Sequence, residues 1–148
     1  MKYIYILFFI MIFGTQNLNA NYVQDTLLET CGVLSAQGIY VTYSAIGSLA
    51  DGYASDVYDD EMATQILSEY IVMSESVNEQ LNLLIKTGIL SSEDVGFVIE
   101  LNNIYELLIA EAGAFSDFIR TKDESYIYVY DSNRTKAWNK IAELMGFE

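Results

Sequence analysis

The sequence predicts an all-α fold, an antiparallel up-down-up-down four-helix bundle, and three observations carry that expectation. Proline is absent from all 148 residues and glycine occurs nine times; this removes the usual punctuation of a many-stranded β-fold and suits long helices. Apolar residues recur at alternating steps of three and four in four successive segments, the period of a helix face. The connections between those segments are short, so consecutive helices must run antiparallel, with no room for a crossover. A composition that is 52% hydrophobic and 14% aromatic gives such a chain ample apolar surface to bury, which excludes a disordered protein.

Residues 1–20, MKYIYILFFIMIFGTQNLNA, join one basic side chain to an apolar run and a polar end at Ala20. That pattern reads as a secretory signal peptide. The expected organisation is therefore a leader at 1–20, removed after Ala20, and one bundle domain at 21–148 that is secreted or periplasmic. No lipobox precedes Cys31, so a lipid anchor is not indicated. Cys31 is the only cysteine, which rules out an internal disulfide in an oxidising compartment. Its place in the apolar row of the first helix predicts a buried small hydrophobe.

The first helix of the mature chain is expected over 22–53. Its residues 30–50 carry no charge in an otherwise strongly acidic protein. The stretch is long enough to span a bilayer. However, Ser35, Gln37, Thr42, Ser44 and Ser48 are spread along it, and Asp25, Glu29 and Asp51 stand where a span carries basic flanks. It is better read as a helix buried in protein, which leaves the mature chain without a stable membrane span. Leu27, Cys31, Leu34, Gly38, Val41 and Ala45 form the row expected to face the core, with Leu28, Ile39, Ile46 and Leu49 beside it. A second row, Val33, Ala36, Tyr40, Tyr43, Gly47 and Ala50, lies on the opposite side. It is expected to be exposed as a partner interface, binding another copy in a two-fold dimer or docking a partner protein.

After a turn at residues 51–56, the second helix is expected to reach Thr87. Its row is Met62/Ala63, Ile66, Tyr70, Met73, Val77, Gln80 and Leu84, with Asp59, Asp60 and Glu61 in the first turn, where acids favour the positive end of the macrodipole. Gly88 is placed as its C′ residue. The third helix starts at a capping box of Ser91 and Asp94 with a hydrophobic staple of Leu90 and Val95. Its seam reads Val98, Leu101, Tyr105, Leu108, Ala112, Phe115 and Ile119. The fourth segment alternates in a β-like manner at residues 126–130. The row Ile127, Tyr130, Arg134, Ala137, Ile141 and Leu144 nevertheless keeps helical spacing and predicts a helix over 123–145, with Thr121 and Glu124 resembling a second capping box.

Histidine is absent, which excludes Ser-His-Asp and Cys-His catalysis, the Glu-x-x-His di-iron pattern of bundles, and His-ligated haem or zinc. No phosphate-binding loop, dinucleotide fingerprint or Ser-x-x-Lys motif occurs. The expectation is a non-enzyme without a cofactor. The acids Asp56, Asp59, Asp60 and Glu61 match no EF-hand spacing and are better read as a helix N-terminus enriched in carboxylates than as a metal site. A net charge of −14 disfavours nucleic acid and anionic membrane as partners. Asn133-Arg134-Thr135 is formally a glycosylation sequon, read here as chance because it falls inside a helix. The twelve tyrosines are read as core and rim residues with hydroxyls reaching water.

Arg134 occupies a seam position where an unpaired charge is costly. Heights along the antiparallel helices predict that it crosses space left by Gly38 to reach Glu111 or Tyr70, forming a structural polar layer or the floor of a ligand pocket made of Gly38, Tyr70, Glu111 and Arg134. Two functions remain open at this point. One is a non-catalytic protein acting through protein–protein contacts, and the other is a small-molecule-binding bundle of the sensor or carrier type with a polar inter-helix pocket.

Overall fold

The computed structural model describes the backbone of residues 2–147 and the side chains of residues 22–147 apart from residue 24. It is a four-helix bundle of α1 (Lys2–Ala54), α2 (Asp60–Lys86), α3 (Ser92–Thr121) and α4 (Ser125–Met145), with no strand among the described residues. The side chains of the expected leader, and its processing point after Ala20, lie outside the described residues. By contact density the chain divides into residues 1–34 and residues 35–148. In the first unit the Thr26 and Thr30 hydroxyls donate to the carbonyl oxygens of Tyr22 and Thr26, one helical turn back. The second unit contains the packed core.

Local chemistry sets the helix ends. Asp59 caps α2 by accepting from the Met62 amide at 2.8 Å, while Asp60 and Glu61 occupy the first turn beside the positive end of the dipole. Gly88 follows α2 with φ +68°. At α3 the full capping box forms: Ser91 Oγ accepts from the Asp94 amide, and the Asp94 carboxylate accepts from the Ser91 amide. The box expected at α4 does not form. Thr121 Oγ1 instead donates to the Asp117 carbonyl at the end of α3, and the Asp123 carboxylate accepts from the Ser125 amide. Residues 126–130 are helical.

The core is built on α3. All seven residues of its expected seam, from Val98 to Ile119, are buried, joined by Ile104 and Ala114. On α4 the expected row supplies Tyr130, Ala137 and Ile141 to the interior. α1 and α2 present different faces from those expected. In α1, Leu34 and Val41 of the expected central row are exposed (61% and 64%), as are Leu27 and Cys31; the buried face is centred on Ile39, Ile46 and Leu49, which were expected beside that row. Residues 30–50 of this helix carry no charge and are apolar on both faces, so periodicity alone leaves the rotation open. Burying the large Ile39 and Ile46 removes more apolar area from water than burying Gly38 and Ala45 would. In α2 the buried positions are Ala63, Leu67, Ser74 and Leu81, while Met73 and Gln80 are exposed. The seven-residue row is displaced by one position, and the polar Ser74 within it disguises the true seam.

Candidate functional site

Among the described residues, one ion pair has a fully buried member. Glu111 projects from the middle of α3 and is fully buried, and Arg134 reaches it from α4, with Nη1 2.7 Å from Glu111 Oε1. The same nitrogen donates to the Tyr43 carbonyl of α1 at 3.3 Å, and the guanidinium carbon lies 4.1 Å from the centre of the Tyr43 ring. Residues 43 and 47 share one face of α1 at a spacing of four. At Gly47 a Cβ would fall 2.2 Å from Arg134 Nη2, so the absence of a side chain there is what admits the guanidinium. Three helices meet at this group, which combines a charge-assisted hydrogen bond with a cation–π contact.

The ion pair expected between Arg134 and Glu111 is present, and its route differs from the one expected. Arg134 crosses at Gly47. Gly38 instead leaves room for Tyr105, whose hydroxyl comes within 2.9 Å of where a Cβ would lie and donates to the Ser35 carbonyl at 3.5 Å. Tyr70 is half-buried against the core. The physical reason is the rotation of α1 described above, which turns Gly47 inward and brings Gly38 under α3. Height along the bundle was legible from the loop lengths, whereas the glycine that opens the path was not.

The same rotation breaks up the row expected as a partner interface. Gly47 is buried, Tyr43 and Ala50 are half-buried against the core, and Ala36 is half-buried. Val33 and Tyr40 are exposed. The six residues therefore do not form one outward strip. Part of the row belongs to a different surface feature, an aromatic patch to which α4 contributes. Tyr43 stacks on Trp138 at 5.6 Å, Trp138 on Phe147 at 6.3 Å, and Tyr40 meets Phe147 edge-on at 6.0 Å. Tyr40, Trp138 and Phe147 are 39% to 46% exposed, so the patch faces water while its inner edge rests on the ion pair. Trp138 escaped the sequence reading because it lies off the core row of α4, and Phe147 because it follows the end of that helix, although Trp138 stands four residues after Arg134 and so on the same side of the helix.

Burial dominates the electrostatics. It pushes the Glu111 carboxyl up to about 7, against the lowering effect of the hydrogen bond and charge of Arg134. Among the described residues Glu111 Oε2 has no hydrogen-bond partner. Tyr130 is raised to about 12, first by burial, with Arg134 opposing and Glu111, Asp131 and Asp51 adding to the rise. Tyr43 is raised chiefly by burial. The site thus contains a carboxyl that burial raises toward neutrality and holds apart from water.

A second feature sits at the N-terminal end of α2, an open cleft of about 660 Å³ lined by Tyr53, Ala54, Asp56, Tyr58, Asp59, Asp60 and Glu61. Lys122 Nζ binds both Asp60 oxygens at 2.9 Å and the Tyr53 hydroxyl at 2.5 Å. That bridge holds the Asp60 carboxyl below its usual range. With Asp59 capping α2, these acids serve helix ends and a surface ion pair. No group of three or more metal-binding side chains is assembled among the described residues, and no helix there is long and apolar enough to cross a membrane.

The sequence matches no protein-family model, and neither a curated protein nor a solved structure matches it significantly.

Proposed function

We propose that the protein is an exported, non-catalytic bundle that acts through protein–protein contacts, with Tyr40, Tyr43, Trp138 and Phe147 at the centre of its contact surface. The observation that supports this reading is the aromatic patch itself: stacked and partly exposed, it combines rigid amphipathic side chains of the kind that dominate binding energy in interfaces. Export rests on the leader-like residues 1–20, and the non-catalytic character rests on the absence of histidine. A net charge of −14 disfavours pairing with a second copy and favours a partner whose apolar contact is rimmed by basic residues.

The test is quantitative recovery of secreted-fraction proteins on immobilised wild type and on Trp138→Glu, followed by binding of the recovered protein over a salt series. A partner that is lost with the variant and weakened by salt supports the proposal. Equal recovery on both proteins overturns it, and a wild-type dimer abolished by the variant assigns the patch to self-association instead.

A further inference from the structure

Arg134 occupies an unusual position for a charge. Its side chain is 28% exposed as a whole, while its guanidinium pairs with a carboxylate that has no exposure at all. The glycine at residue 47 leaves a slot that fits the guanidinium and would admit no methyl group beside it. Above the slot the Tyr43 ring lies between the guanidinium and Trp138. The free oxygen Oε2 of Glu111 is available to accept a proton.

The groups facing Glu111 are few. α1 brings Tyr43, with exposed Asp51 acting on Tyr130. α4 brings Arg134 and Tyr130, with exposed Asp131 beside the latter. α2 turns the half-buried Tyr70 to the core, while its acids Asp60, Glu61, Glu69, Glu75 and Glu79 are exposed. The negative charge that holds the guanidinium inside is therefore that of Glu111. A partly buried cation deprived of its countercharge is costly, and a partly exposed arginine can carry its head outward on its flexible stem.

We propose that Glu111 and Arg134 form a proton-gated latch on the seam between α1 and α4, closed while Glu111 is ionised and opened when a solvent proton binds it and Arg134 leaves the Gly47 slot. Opening removes the cation from beneath Tyr43 and loosens the stack of Tyr43 on Trp138. The inference goes beyond the proposed contact function and holds whether or not the aromatic patch binds anything.

Trp138 is the only tryptophan, so intrinsic fluorescence reads the latch directly. In the full chain, Trp138 emission should shift to longer wavelength as pH falls through about 7, with far-UV circular dichroism unchanged. Glu111→Gln should show the acid-form emission at every pH, and its transition should be lost. Arg134→Gln, a change at a partly exposed position, should also lose the transition and carries the test if Glu111→Gln does not fold. A wild-type emission that stays constant while the protein is folded, or a transition that survives in either folded variant, overturns the latch.

Discussion

Glu111 is the residue on which the interior chemistry turns, because a fully buried carboxyl resists ionisation even with an arginine 2.7 Å away. Its folded value of about 7 stands above the ordinary 4.5, so between those values the native state holds more protons than the unfolded chain. The contribution of Glu111 to stability is therefore full below about 4.5 and is lost as pH rises through about 7, a loss on the order of 1–3 kcal/mol. Urea unfolding at about pH 5.5 should give a higher midpoint than at about pH 8, and Glu111→Gln should abolish the difference. A midpoint that rises with pH across this window in the wild type would contradict the assignment. The pairing of Arg134 with Glu111 was legible because a charge on an apolar row demands a partner. The role of Gly47 was hidden, since one glycine within the uncharged stretch 30–50 looks much like another until the helix rotation is known.

At the level of the elements, legibility follows how sharply each helix separates its faces. α3 carries an unbroken apolar seam and a complete capping box, and both its start and its buried face agree with the sequence reading. Ser91→Ala should cost about 1 kcal/mol in chemical denaturation, because the Asp94 amide loses its acceptor; an unchanged midpoint would show that the box contributes nothing. α1 has no charged residue from 30 to 50 to mark an outer face, and its buried face is correspondingly centred on Ile39, Ile46 and Leu49 at the flank of the expected row instead of on the row itself. In α2 the polar Ser74 stands in the buried row, and the amide of Asn102 on α3 donates to Asn82 at 3.2 Å across the helix pair. Hydrophobic periodicity cannot anticipate polar residues that face inward because a neighbouring helix offers a partner. The end of α4 nearest α3 was misread for a related reason: the Thr121 hydroxyl had a carbonyl of its own helix within reach, so the second capping box never formed.

Across the whole molecule, the fold class was legible from proline absence, short connections and four periodic segments, whereas the surface was not, because it depends on how each helix is turned. The account of the interior makes a single central claim: three helices are tied together by one polar group, in which Arg134 passes Gly47 to reach Glu111. A double-mutant cycle of Glu111→Leu and Arg134→Leu, measured by chemical denaturation at about pH 8 where the pair is ionised, tests it most directly. Each single variant leaves a buried or half-buried group without its counterpart and should cost roughly 3–5 kcal/mol. The double variant should cost less than the sum of the two by at least about 1.5 kcal/mol. Strictly additive losses would contradict the claim that this pair joins the helices.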